Sequence, residues 1–137
     1  MDPGIIRVLL GKTTMECHDR GVRYLATKLR DAGMEVIFIN FLEPKEILDA
    51  AIEEDVDVIG ISSSVEGHLP VAREVTTRLR EVGKDDVLVI FGGVIPGRDV
   101  PSMKALGVKE VFGPGSAADA VIAFIRENVR ARSLAIE

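Results

Sequence analysis

Five short runs rich in valine and isoleucine alternate along this chain with stretches whose apolar residues recur at helical spacing. The runs are Ile5–Leu10, Glu35–Ile39, Val56–Ile61, Val87–Phe91 and Glu110–Phe112. They are apolar almost throughout, as strands buried on both faces are. The helical stretches are Arg20–Ala32, Pro44–Glu53, Leu69–Val82, Val100–Ala105 and Ala117–Arg130. Their stripes include Ile47, Leu48, Ala51 and Ile52, then Val71, Val75, Leu79 and Val82, then Ala117, Ala120, Val121, Phe124 and Ile125. Such alternation leaves few folds open. Parallel strands need crossover helices, and right-handed crossovers place those helices on both faces of one sheet.

The sequence therefore predicts an α/β fold: a flavodoxin-like, doubly wound, five-stranded parallel sheet of order 2-1-3-4-5 with helices on both faces. Gly33, Gly83 and Gly107 each follow a helical pattern, where a left-handed cap is wanted. Pro44 suits a first helical turn. No linker, repeat or low-complexity segment interrupts the pattern. The prediction is one domain over residues 1–137 with a core over about 5–130, and a tail that frays after Val129.

Composition excludes several function classes. The chain of 137 residues is 47% apolar and 28% charged, with a net charge of −5, so it has a substantial core and no bulk attraction to nucleic acid. No basic cluster interleaved with aromatics suggests an RNA or DNA surface. A single cysteine forbids an internal disulfide and the zinc patterns built on paired cysteines. No apolar run approaches the roughly 20 residues that span a bilayer. The opening Met1-Asp2-Pro3-Gly4 does not read as a signal peptide. A soluble, cytoplasmic protein is expected.

In this fold ligands bind beyond the carboxyl ends of the strands. The loop after strand 1 carries Lys12, Thr13, Thr14, Glu16, His18 and Asp19. The loop after strand 3 carries Ser62, Ser63, Ser64, Glu66, Gly67 and His68. Gly92, Gly93, Val94 and Pro96 follow strand 4, and Gly113, Pro114, Gly115 and Ser116 follow strand 5. Each feature has an ordinary alternative. Gly92-Gly93 and Gly113-Pro114-Gly115 are turn chemistry, Ser62–Ser64 suit a helix cap, and a lone His18 suits a solvated loop. Their joint occurrence on one rim is the signal, because hydroxyls and bare backbone admit a large ligand closely. In Glu16-Cys17-His18-Asp19-Arg20-Gly21 an imidazole has an acid two residues before it, an arrangement suited to an axial metal ligand.

Other occupants of the fold fit poorly. A phosphate-accepting receiver needs an aspartate where Ser62 stands and a lysine where Gly113 stands. A flavodoxin cradles phosphate after strand 1, which Thr13 and Thr14 echo faintly, but there is no tryptophan and the sole tyrosine, Tyr24, is on the first helix. Neither Gly-x-Gly-x-x-Gly nor Gly-x-x-x-x-Gly-Lys-Ser/Thr occurs. Cys17 beside His18 does not by itself make a nucleophile and base.

The three-part pattern Glu16-Cys17-His18-Asp19-Arg20-Gly21, Ser62-Ser63-Ser64 and Gly92-Gly93 resembles the cobalamin-binding module of adenosylcobalamin-dependent mutases, whose signature is Asp-x-His-x-x-Gly, Ser-x-Leu and Gly-Gly. The chain is most similar to the methylmalonyl-CoA mutase type, including small subunits of related acyl-CoA mutases. Leu29-Arg30-Asp31-Ala32-Gly33, Glu54-Asp55-Val56-Asp57-Val58, Gly92-Gly93-Val94-Ile95-Pro96 and Phe112-Gly113-Pro114-Gly115 extend the likeness from about Ile6 to about Ile125. The resemblance implies that adenosylcobalamin binds base-off with His18 as lower axial ligand to cobalt. It implies that Glu16 orients the imidazole and that Lys12 pairs with that acid. Ser62 would contact the base of the displaced nucleotide tail, Gly92 and Gly93 would leave it room, and Gly113, Pro114 and Gly115 would line the far side. Asp19, Arg20, Gly21 and Ser64 complete the implied cofactor-binding set. Glu16 replaces the usual aspartate and Ser64 the usual leucine.

By the same resemblance the chain is the small subunit of a heteromeric acyl-CoA mutase, inactive alone, which catalyses a radical 1,2 carbon-skeleton rearrangement. A separate large barrel subunit would hold the acyl-CoA. The alternatives are a corrinoid carrier or sensor, or a fold relative that has lost cobalamin. Carriers usually have a helical cap before this domain, and here only Met1–Gly4 precede the first strand. A side chain added at Gly92 or Gly93 is expected to block the tail slot without unfolding the domain.

Overall fold

A computed structural model describes residues 4–13, 20–63, 67–113 and 115–136. In chain order these form β1 (Arg7–Thr13), α1 (Arg20–Asp31), β2 (Glu35–Phe41), α2 (Pro44–Glu54), β3 (Val58–Ser62) and α3 (His68–Glu81). Then come β4 (Leu88–Gly92), a 3-10 turn (Gly97–Asp99), α4 (Val100–Leu106), β5 (Glu110–Phe112) and α5 (Ala118–Ile136). All pairings are parallel, and the strand order is β2-β1-β3-β4-β5. This is the predicted flavodoxin-like sheet.

Strand periodicity divides the core into two layers. Odd-numbered strand residues, such as Leu9, Ile59, Ile61, Val89 and Phe91, pack with α2, α3 and α4 residues such as Ile47, Leu48, Val75, Leu79 and Met103. Even-numbered ones, such as Val8, Leu10, Val58, Leu88 and Ile90, pack with Val22, Ala26 and Leu29 of α1 and Val121, Ile122 and Ile125 of α5. Gly33, Gly83 and Gly107 all take positive φ after α1, α3 and α4, as the capping argument requires.

Several boundaries differ from the sequence reading, most of them at the rim. β1 starts later and runs on through Lys12 and Thr13, which the sequence placed in a loop; pairing of Gly11, Lys12 and Thr13 with Ile39, Asn40 and Phe41 of β2 carries them into the sheet. Ser62 and Gly92 likewise end strands and do not open loops, and His68 begins α3. At the carboxyl terminus α5 continues to Ile136, past Val129. Ala131, Arg132, Leu134 and Ala135 are strong helix formers with no proline or glycine among them.

Candidate functional site

Register brings the carboxyl ends of four strands into one row. Lys12 of β1 pairs with Ser62 of β3, Ser62 with Gly92 of β4, and Gly92 with Phe112 of β5. Registered neighbours in a parallel sheet share a face, so this row belongs to the even-numbered face that α1 and α5 cover. Below it, Gly60 lies between Leu10 and Ile90. A Cβ on Gly60 would stand 2.8 Å from the Leu10 Cδ2, so the bare backbone there lowers the floor.

Above this floor a cleft of about 290 Å³ opens between α1 and α5. Its floor is Leu10, Gly60 and Ile90, and Ser62, Gly92 and Phe112 stand at its upper edge. Gly21, Val22, Tyr24 and Leu25 of α1 form one wall, and Ala118 and Val121 of α5 the other. Gly93, Val94, Gly113, Gly115 and Ser116 line its rim. The lining is mostly apolar, with Ser62, Ser116 and the Tyr24 hydroxyl as its side-chain polar groups. Phe112 is held edge-on by Phe124 of α5, with ring centroids 5.6 Å apart, which fixes that corner.

The structure thus gathers Gly21, Ser62, Gly92, Gly93, Gly113 and Gly115 around one cleft. Lys12 ends in the same strand-end row and is buried, at 7% exposure. Arg20 opens α1, is exposed, and does not line the cleft. Glu16, His18, Asp19, Ser64 and Pro114 lie outside the described residues. Among the described residues no group of three His, Cys, Asp or Glu side chains is placed to hold a bare metal ion, and no helix is long and apolar enough to cross a membrane.

Two glycines expected to act alike do different things. A Cβ on Gly92 would find only the Phe112 carbonyl oxygen, at 3.6 Å, an ordinary contact. Gly93 has φ of +112° and a Cβ there would run into the Ser63 backbone. Ser63 in turn donates its N–H to the Gly92 carbonyl at 3.0 Å. The absent side chain at Gly93 therefore lets the β3 and β4 loops pack together, a structural need that the sequence reading did not give it.

His68, placed on the ligand rim by sequence, is not in the cleft. It is the first residue of α3, on the opposite face of the sheet, and is buried. Its Nε2 lies 2.8 Å from Asp99 Oδ2 in the 3-10 turn, with side chains only 10% and 24% exposed. Conversely, sequence reasoning passed over Tyr24, Gly60, Phe112 and Val121 as lining residues. Tyr24 lies off the apolar stripe of α1, and Gly60 sits in the middle of a strand, so neither gives a local signal. Among titratable groups, Glu110 at the start of β5 is held below the usual carboxylate range, chiefly by the Val111 N–H and further by Lys104 at 3.1 Å, against a raising effect of burial.

Residues 6–123 match the family model described as the B12 binding domain. The chain belongs to the B12-binding domain family. Within it, the chain is 44% identical over 133 residues to the 2-hydroxyisobutanoyl-CoA mutase small subunit of Aquincola tertiaricarbonis, covering 96% of this chain and 98% of that one. It is 43% identical over 118 residues to the pivalyl-CoA mutase small subunit of Xanthobacter autotrophicus, covering 85% and 79% respectively. It is 41% identical to methylmalonyl-CoA mutase of Cereibacter sphaeroides over 88% of this chain, but spans only 18% of that protein. Among solved structures, a cobalamin-binding protein from Desulfitobacterium hafniense superposes with a TM-score of 0.75 over 90% of this chain and 59% of that one, at 24% identity. That last likeness concerns the fold.

Proposed function

We propose that this chain is the cobalamin-binding small subunit of a heteromeric acyl-CoA mutase, binding adenosylcobalamin base-off with His18 as the lower ligand to cobalt. The observation that carries the proposal is the apolar, glycine-floored cleft behind the strand-end row Lys12, Ser62, Gly92 and Phe112. Residues 14–19, which include Glu16 and His18, connect that row to α1, one wall of the cleft. At about 290 Å³ the cleft is near the small end of small-molecule pockets, roughly 300 Å³ and upward. That volume suits a heteroaromatic base and its sugar, not a whole corrin. Family membership and likeness along 98% of a named mutase small subunit support the assignment of class.

The fit can be argued residue by residue. Apolar walls from Val22, Leu25, Ile90, Phe112 and Val121 match the faces of a methylated bicyclic base. Ser62 offers a hydroxyl to a ring nitrogen, and Gly92 and Gly113 leave the base room. A corrin supplies cobalt's equatorial ligands itself, so one histidine suffices from the protein. Glu16 would accept from the other ring nitrogen of His18, fixing the tautomer and raising its basicity, with Lys12 pairing with the acid. Asp19, Arg20, Gly21, Ser64, Pro114 and Gly115 would complete the contacts around the tail and lower corrin edge. When bound, adenosylcobalamin supplies a cobalt–carbon bond whose homolysis starts a radical 1,2 rearrangement of an acyl-CoA. The acyl-CoA itself would be held by a separate large barrel subunit.

The test is a titration of the purified chain with adenosylcobalamin, followed by visible spectroscopy and by electron paramagnetic resonance of the cobalt(II) form. The expected result is a base-off species with one histidine nitrogen on cobalt, absent from His18→Ala. A His18→Ala protein that keeps the same bound spectrum overturns the ligand assignment.

A further inference from the structure

Tyr24 is the only tyrosine in a chain without tryptophan, and it is an odd residue to find where it is. It lies outside the buried stripe of α1 and leaves 57% of its surface exposed, yet it lines the cleft. Large aromatic side chains left open beside an apolar cleft lack the burial that normally offsets their exposure. The helix around it is arranged on both sides. Side chains on a helix lean toward its amino terminus. Lys28, one turn later, leans onto Tyr24 and its Nζ stands 5.5 Å from the ring centroid. At Gly21, nearly one turn earlier, an added Cβ would meet nothing within 4 Å among the described residues. Lys28 thus stands by the ring from the next turn, and Gly21 and Tyr24 both line the cleft.

We infer that Tyr24 is a stacking wall for the base of the cobalamin nucleotide tail, and that it makes this chain prefer corrinoids that carry a flat aromatic lower base over those that lack one. The inference rests on the cobalamin reading above and adds a residue and a selectivity to it. The missing side chain at Gly21 leaves room, among the described residues, for a planar base on the α1 side of the cleft. Apart from Ser62 and Ser116, the remaining lining is aliphatic or glycine except for Phe91, which packs in the opposite layer, and Phe112, which is in T-shaped contact with Phe124 of α5. Tyr24 is therefore the aromatic face available to a ligand in the α1 wall. The hydroxyl is not required, because stacking uses the ring.

The experiment compares dissociation constants of the purified chain for adenosylcobalamin and for adenosylcobinamide, which has the corrin but no nucleotide base. Wild type, Tyr24→Ala and Tyr24→Phe are measured. Alanine is the best helix former and the site is exposed, so Tyr24→Ala is expected to fold, which circular dichroism checks. The expected result is a roughly tenfold fall in the preference for cobalamin over cobinamide in Tyr24→Ala, the scale of a lost base–aromatic stack, with cobinamide affinity unmoved and Tyr24→Phe restoring the preference. A general structural defect would weaken both ligands alike and would not be rescued by phenylalanine. An unaltered preference in Tyr24→Ala overturns the inference, and if that variant instead loses affinity for a large subunit, Tyr24 belongs to the protein interface. A wild-type chain that leaves the spectra of both corrinoids unchanged overturns the cobalamin reading and this inference together.

Discussion

One added carbon separates the roles of Gly92, which ends β4, and Gly93, which follows it. At Gly92 a methyl group would sit in ordinary contact with the Phe112 carbonyl, inside the cleft wall. At Gly93 it would have to occupy the space of the Ser63 backbone while holding φ at +112°, a conformation that costs a non-glycine residue of order 1–3 kcal/mol before any clash. Gly93→Ala is therefore expected to lower the melting temperature by several degrees, whatever its effect on ligand. Gly92→Val is expected to keep the fold and lose cobalamin affinity, because its extra carbons project into the slot. Thermal melts alongside a cofactor titration check both. A Gly93→Ala protein as stable as wild type removes the packing argument, and a Gly92→Val protein that binds normally removes the slot. The sequence reading treated the pair as one unit because the dipeptide looks symmetrical. The asymmetry comes from a non-local neighbour, Ser63, which no local pattern reveals.

At the scale of elements, the alternation of strands and helices was readable because each element carries its own period. The strand order 2-1-3-4-5 is the flavodoxin-like one that five alternating strands in a chain of this length suggest. What could not be read was which face of the sheet each rim residue serves. Ser62 and His68 are six positions apart and both follow strand 3 in the sequence reading, yet Ser62 points to the α1–α5 cleft and His68 into the opposite layer. Facing depends on register and on where a strand stops, and polar strand ends such as Lys12-Thr13 and Ser62 hide that point. His68 accordingly has a mechanical role. It ties the start of α3 to the turn before α4, and with the Ser63–Gly92 hydrogen bond it fixes the two loops on either side of Gly93. A buried hydrogen bond to a carboxylate contributes about 1.5–3 kcal/mol, reduced here because the His68 Nδ1 has no partner among the described residues. Chemical denaturation should show His68→Ala destabilised by about 1–2 kcal/mol, with His68→Gln, whose amide still donates, recovering part of the loss. Equal stability of all three proteins would show that the pair holds nothing.

Among the described residues the whole molecule presents a cleft of nucleotide-tail size whose rim stays partly open. Tyr24 and Val94 line it while remaining 57% and 62% exposed. A corrin whose tail fills about 290 Å³ of cleft would therefore lie on the rim with its upper face toward water. Radical chemistry at such a face fails, because side reactions are suppressed only where water and other reactants are excluded. The partner proposed for this chain would close that face. Cofactor and partner would then share one interface, and their binding must be reciprocally linked: a partner that binds the loaded chain more tightly also tightens cofactor binding by the same factor. The expected outcome is no isomerase activity from this chain with adenosylcobalamin alone, and activity on mixing with the matching acyl-CoA mutase large subunit. Association of the two proteins should be at least tenfold tighter with cofactor than without, the lower part of the range for coupled sites. Titration calorimetry in both orders measures the coupling. Equal affinities with and without cofactor would place the partner elsewhere on the surface, and turnover by this chain alone would mean that the open rim is not the barrier argued here.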